Sequence, residues 1–273
     1  MPLVSLEHVS YSYPNGFQAV DSVSFGVEAG ESVAIIGQNG AGKTTTVTMI
    51  NGLLRPTSGT VRIDGTDTAR QTAAQTSRRV GYVFQNPDDQ IFNPTVAKEV
   101  GYGLRRLKLS TADRDERVTR ACEAAGLGAA MGTNPYDLPL SIRKFVAIAS
   151  VLAADPEVVI LDEPTAGQDL AGLLRLTALI DHLQQRGKAI ITISHDMEFV
   201  AQNFDRVIVM ADRAVVRDAR ADEIFYDTRA MDRASLRPPA LAQVGALVGP
   251  EVGLDIDRLN AELASRSHAA TSR

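Results

Sequence analysis

The stretch GQNGAGKT (37–44) constrains this chain more than any other part of it. It follows a compact apolar run, SVAIIG (32–37), and leads into KTTTVTMING, a helical pattern that Gly52 would close as the C′ residue. A strand that turns through glycines directly into a helix gathers backbone N–H groups at the helix N-terminus, where they hold negative charge. Gly37, Gly40 and Gly42 let the backbone wrap closely around phosphates, because a Cβ would block either the dihedrals or the approach. Lys43 is placed to reach outer phosphates, and the Thr44 hydroxyl suits Mg²⁺. A glycine-rich turn with an incidental lysine would not need these flanks, so the strand–loop–helix setting is the decisive part of the pattern.

Two further apolar runs with β-branched residues, VVILDE (158–163) and AIITIS (189–194), read as strands buried on both faces of a mainly parallel sheet. The opening segments LVSLEHVSYSY and VDSVSFGVEAGE alternate apolar and polar residues, as half-buried antiparallel strands do. Helical patterns lie between the strands. One covers roughly 111–125, with Ser110 and Asp113 in capping-box-like spacing and Gly126 at its end; another runs from about Asp169 to Arg186 and stops at Gly187. The middle of the chain, about 86–155, reads as a helical insertion on the α/β core. LRPPALAQ (236–243) reads as a linker and SRSHAATSR as a frayed tail, so 1–227 is expected to be one domain and 228–273 a small appendage.

Composition narrows the function. The net charge of −5 argues against general nucleic-acid binding, which needs excess Lys and Arg to neutralise phosphates. The single cysteine, Cys122, excludes an internal disulfide framework and a cysteine-cluster metal site. No apolar run approaches the ~18–20 residues of a membrane helix, and the N-terminus lacks a secretory pattern, so the cytosol is the expected compartment.

The strand VVILDEPTAG (158–167) ends in Asp162–Glu163. An acid at the end of a buried strand beside a phosphate loop can hold Mg²⁺, and its neighbour can polarise an attacking water. Together with Gln85, AGQD (166–169) and His195, these motifs resemble the ATP-binding cassette (ABC) ATPases over about residues 3–227. The resemblance implies a P-loop α/β ATPase with an N-terminal antiparallel β subdomain and a helical subdomain. It implies that Gly37, Asn39, Gly40, Ala41, Gly42, Lys43, Thr44 and Thr45 cradle ATP, and that Tyr13 stacks on adenine. Thr44, Gln85 and Asp162 would hold Mg²⁺; Glu163, His195 and Gln85 would serve hydrolysis. Two such cassettes face head to tail, so Asp169 and the signature motif of each would meet the partner's nucleotide.

The run VGYVFQNPDDQIFNPTV (80–96) is similar to the energy-coupling factor (ECF) ATPases, which power vitamin and transition-metal uptake, and ADEIFYD (221–227) resembles the short helix closing such cassettes. The resemblance implies a second ATPase subunit, identical or not, and integral membrane subunits at the cytoplasmic face of the membrane. One motif departs. Where the family has LSGGQ, this chain reads LPLSI (138–142), with Pro139, Leu140 and Ser141 in place of the serine and both glycines. Ser141 can act as a helix N-cap; either it only caps, or, where LPLSI serves the partner's γ-phosphate, Ser141 is the hydroxyl that does so, with Arg143 and Lys144 adding positive charge nearby. Two readings remain beside the importer ATPase: an ATP-clamping, low-turnover cassette in a heterodimer, and a soluble ABC ATPase outside transport.

Overall fold

The computed structural model describes residues 1–249 and 253–271. β1 (Val4–Ser12) and β2 (Gln18–Val27) pair antiparallel, as their alternation predicts. β3 (Ser32–Ile36) leaves them, while β4 (Ser58–Ile63) and β5 (Thr66–Asp67) return, giving a sheet of order β2-β1-β4-β5. A second sheet contains β6 (Val80–Val83), β7 (Val158–Asp162), β8 (Ala189–Ile193), β9 (Arg206–Ala211) and β10 (Ala214–Arg220). Its order is β10-β9-β3-β8-β7-β6, parallel throughout except for β10.

β3, β7 and β8 are buried at every position, and alternate residues enter different cores. Ala34, Ile36, Val159 and Leu161 pack against the helices on one face. Val33, Ile35, Ile160 and Ile191 pack beneath the antiparallel sheet on the other. With both faces covered, the strands have no polar side, which is why their sequences show none.

Helix α1 (Lys43–Ile50) follows β3 and ends at Asn51, with Gly52 at φ 77° behind it. α2 (Ala73–Thr76) precedes β6. Between β6 and β7 lie α3 (Val96–Tyr102), α4 (Thr111–Ala124) and α5 (Leu140–Leu152), with no intervening strand. The Ser110 hydroxyl caps α4 by accepting from the Asp113 N–H at 3.1 Å. α6 (Leu170–Gln185) connects β7 to β8, and α7 (Met197–Asn203) connects β8 to β9. After β10 come α8 (Ala221–Ile224), α9 (Thr228–Arg233), α10 (Ala240–Val248) and α11 (Ile256–Thr271).

The C-terminal end differs from expectation. The expected linker 236–243 is cut short by α10, which begins at Ala240 with Pro239 at its N-cap. A proline there forfeits no helical hydrogen bond, so the Pro-Pro pair starts a helix rather than forming a spacer. The expected frayed tail continues α11 as far as Thr271, through Ala-containing sequence of fair helix propensity; residues 272–273 lie outside the described residues. Among the described residues, no helix is long and apolar enough to cross a membrane.

Candidate nucleotide site

The carboxyl ends of four parallel strands supply one cleft of about 420 Å³. The end of β3 contributes the glycine loop and the start of α1, β6 leads to Gln85, β7 ends in Asp162 and Glu163, and β8 leads to His195. Ligands of open α/β sheets sit in this crevice beyond the strand ends. Asn39, Gly40, Gly42, Lys43, Thr44 and Thr45 face it, whereas Gly37 and Ala41 are buried beneath the loop.

Two of the loop glycines are required by the protein itself. At Gly37 (φ 153°) a Cβ would collide with the Met210 carbonyl of β9, and at Gly42 (φ 95°) it would press on the Ala19 carbonyl. The positive φ at both agrees with the expectation that a Cβ would block the dihedrals, and packing against neighbouring backbone adds a second demand for glycine. Gly42 caps α1 without a side-chain acceptor, and the first turn carries no acidic residue. The helix therefore opens on the cleft with uncompensated donors and its positive dipole end. Lys43 is 6% exposed, and its Nζ donates to the Gly37 carbonyl at 2.6 Å and the Gln38 carbonyl at 3.0 Å. Burial lowers its pKa, and the charges of Glu163 and Asp162 oppose that shift.

Asp162 and Glu163 are 5% and 8% exposed. The Tyr82 hydroxyl donates to Asp162 Oδ2 at 2.7 Å, while Asp162 Oδ1 is buried with no hydrogen-bond partner among the described residues. Burial raises the Asp162 pKa against the Tyr82 and Thr44 hydroxyls and the Lys43 charge. Burial likewise pushes Glu163 up to about 7, opposed by the His195 backbone N–H and the charge of Lys43. That N–H donates to Glu163 Oε2 at 3.2 Å. His195 Nε2 lies 3.2 Å from Glu163 Oε1, without hydrogen-bond geometry, and 3.5 Å from Lys43 Nζ. Burial, then the nearby Lys43 charge, lowers the imidazole pKa, so His195 is neutral at pH 7. Glu163 itself has φ 49°, a left-handed backbone on a residue preceding Pro164.

Other expected site residues lie at the rim or away from the cleft. The Tyr13 hydroxyl is 3.3 Å from Thr45 Oγ1, and the exposed ring packs edge-on against Tyr11 and stacks near Phe17. Gln85 is exposed and faces the cleft. Asp169 caps α6 by accepting from the Gly172 N–H at 2.8 Å and stays outside the cleft of its own chain. Ser141 is also outside it, and it is not the N-cap. Pro139 takes that place, and the Arg143 N–H closes the first turn on the Pro139 carbonyl at 2.9 Å, leaving Ser141 inside the helix. The rigid φ of proline sets the helix start earlier than the serine-cap rule implied.

Sequence reasoning missed Tyr82, whose only sign was a hydroxyl within an otherwise apolar strand. Arg143 and Lys144, expected to add positive charge near the helix start, are both engaged within their own chain. Arg143 donates to Asp88 Oδ1 at 2.7 Å and to the Leu138 carbonyl at 3.2 Å. Lys144 is 4% exposed and donates to the Glu163 carbonyl at 2.6 Å.

Comparison with known proteins agrees with this geometry. The ABC transporter family model matches residues 20–166. The chain is 36% identical to the energy-coupling factor transporter ATP-binding protein EcfA of Methanocaldococcus jannaschii over 94% of this chain and 93% of that one. It is 38% identical to the EcfA of Methanothermobacter thermautotrophicus, over 89% and 78% of the two chains. Among solved structures, cbiO1 of Clostridium perfringens, described as part of the ABC transporter complex cbiONQ, superposes with a TM-score of 0.78 at 31% identity, covering 90% of this chain and 99% of that one. The cassette MJ0796, a dimer in a post-hydrolysis state bound to ADP and Pi, gives a TM-score of 0.73 at 27% identity over 80% and 98%. The chain belongs to the ABC transporter family, as one of its ATP-binding, ATP-hydrolysing cassettes.

Proposed function

We propose that this chain is the ATPase subunit of an energy-coupling-factor-type importer, working as a dimer against integral membrane subunits at the cytoplasmic face of the cell membrane. One observation carries the hydrolytic part: a buried ammonium, an uncapped helix N-terminus, and a carboxylate with its pKa near 7 face a single cleft. The transport part is supported by relatives named as energy-coupling factor transporter ATP-binding proteins and by a structural neighbour from a transporter complex. Aromatic side chains exposed at Phe84, Phe92 and Tyr102, in and beside the ECF-like segment, offer a docking surface for a membrane subunit.

The residues present fit ATP with Mg²⁺. Thr44, Gln85 and Asp162 form an all-oxygen donor set suited to a hard cation, and the unpartnered Asp162 Oδ1 is an acceptor in want of a charge. When bound, the ion would neutralise charge developing on the phosphates. Lys43 uses two of its three donors on loop carbonyls, and the third, 3.5 Å from His195 Nε2, is the one that would turn to phosphate oxygen. Glu163, with a pKa matched to neutral pH, takes the proton of the attacking water. Neutral His195 stands between Glu163 and Lys43 as a proton-bearing contact for the terminal phosphate. Ser141 and Asp169, lying outside their own cleft, are left to serve the nucleotide of the second cassette.

Glu163→Gln tests this reading. Nucleotide affinity should stay within a few-fold of the parent, steady-state turnover should fall by at least ~10²-fold, and ATP should hold the variant as a dimer on size exclusion. Turnover near the parental rate would remove Glu163 from the reaction. A parent that binds ATP but does not turn over would favour the ATP-clamping cassette instead.

A further inference from the structure

The first turn of α5, where the signature motif departs from its family form, is tied within its own chain to three segments near the cleft. The Ser141 carbonyl accepts from Gln168 Nε2 at 3.1 Å, in the loop before α6. Arg143 pairs with Asp88 at 2.7 Å, three residues beyond Gln85. Lys144 Nζ reaches the Glu163 carbonyl at 2.6 Å, at the end of β7. The last of these is unlike the other two, because both of its groups are buried and the acceptor belongs to the residue that takes the water's proton.

We propose that Lys144 is a positioning residue for ATP hydrolysis, holding the Glu163 backbone so that its carboxylate faces the cleft. Glu163 sits at φ 49°, a conformation that costs a non-glycine residue energy and that the proline after it does not favour. A residue so placed keeps its conformation only when its surroundings fix it. Two backbone contacts do part of this: the Glu163 N–H donates to the Ile193 carbonyl at 2.9 Å, and its carbonyl accepts from the Ala166 N–H at 3.3 Å. The ammonium contact is shorter and charge-assisted, so it sets the carbonyl direction, and with it the direction of the side chain. At 4% exposure Lys144 is turned inward onto its own chain and is not offered to a partner's phosphate. The helix that carries the signature residues thus holds the backbone of the catalytic residue directly. A displacement of α5 would be felt at Glu163 through one hydrogen bond.

The inference rests on Glu163 being the hydrolytic carboxylate, and the experiment separates the two. The full-length parent, Glu163→Gln, Lys144→Met and Lys144→Arg are compared for fold by thermal melting, for ATP affinity by titration with a fluorescent ATP analogue, and for kcat and KM with MgATP. Methionine keeps the length and much of the volume of the lysine without the charge, and replacing a buried ion by an apolar isostere need not destabilise the fold. Lys144→Met should lose at least ~10-fold in kcat, with analogue affinity and KM within about three-fold of the parent. Lys144→Arg should recover part of the lost kcat, because it restores a cationic donor to the same carbonyl. Parental kcat in a folded Lys144→Met protein, while Glu163→Gln is inactive, would overturn the role of Lys144 and leave that of Glu163 standing. Should the methionine variant fail to fold, Lys144→Gln decides, because it removes the ammonium and shortens the reach to the Glu163 carbonyl: a loss confined to KM or to melting temperature, with kcat unchanged, overturns the proposal. A Glu163→Gln protein that still turns over would instead remove the reading on which the proposal rests.

Discussion

The buried carboxylate that makes hydrolysis possible should also weaken the nucleotide-free fold at neutral pH, and Glu163→Gln should remove that weakness. Glu163 is 8% exposed, and its pKa is raised from 4.5 to about 7, mainly by burial. The folded state therefore holds the proton more tightly than the unfolded chain. The resulting stability is present in full below pH 4.5 and is lost as the pH rises through 7. Each pH unit of difference between folded and unfolded values is worth about 1.4 kcal/mol, so ionised Glu163 costs the fold about 3 kcal/mol at pH 8. Glutamine has the same shape, keeps an acceptor for the His195 N–H, and carries no charge to desolvate. Without nucleotide or Mg²⁺, Glu163→Gln should differ from the parent by no more than about 1 kcal/mol near pH 5 and melt about 5–10 °C higher at pH 8. Paired thermal melts across that range measure the effect, and contributions from Lys43 and Lys144 that are common to both proteins largely cancel. A difference between parent and variant that does not change from pH 5 to pH 8 would refute the raised pKa, and with it the argument for Glu163 as a neutral-pH base.

Two further outcomes follow from the same site. Lys43→Ala should weaken ATP binding by ~1.5–3 kcal/mol, roughly ten- to a hundred-fold in the dissociation constant, because loop amides alone cannot replace a charge-assisted donor; equilibrium titration reads this directly. Tyr82→Phe removes the 2.7 Å hydrogen bond that orients Asp162, and the Mg²⁺ concentration needed for half-maximal ATPase activity should rise about ten-fold, while an unchanged requirement would leave Tyr82 a packing residue only.

How much of this molecule could be read from the chain depends on how local each determinant is. The antiparallel pairing of β1 with β2, the buried β3, β7 and β8, and the caps at Ser110 and Asp169 are written in periodicity and in residues a few positions apart. The start of α10 was missed because the proline pair in LRPPALAQ (236–243) was read as part of a linker, when Pro239 was serving as the helix N-cap. Proline gives the same composition signal in both roles. Only the hydrogen bonds of the following turn distinguish them.

The site shows the same division. Glycine, lysine, aspartate and glutamate at 37–44 and 162–163 were legible because phosphate chemistry fixes the residue type at each position. The groups that aim these residues were not, because a hydrogen bond to a carbonyl constrains the donor's reach and leaves its identity loose. Tyr82 lies 80 positions from Asp162, and Lys144 lies 19 from Glu163, so no spacing rule connects either pair. What joins them is topology: β6 lies beside β7 in the sheet, and α5 packs over the same edge. A lysine directly before the apolar sequence FVAIAS (145–150) had to be buried or had to snorkel outward, and sequence alone favoured the second. Its burial is tolerable because two carboxylates and a carbonyl wait at that strand end, and those groups needed a fixed geometry of their own. The unusual signature and the usual catalytic strand are therefore one arrangement, and a change in either should be judged by what it does to Glu163.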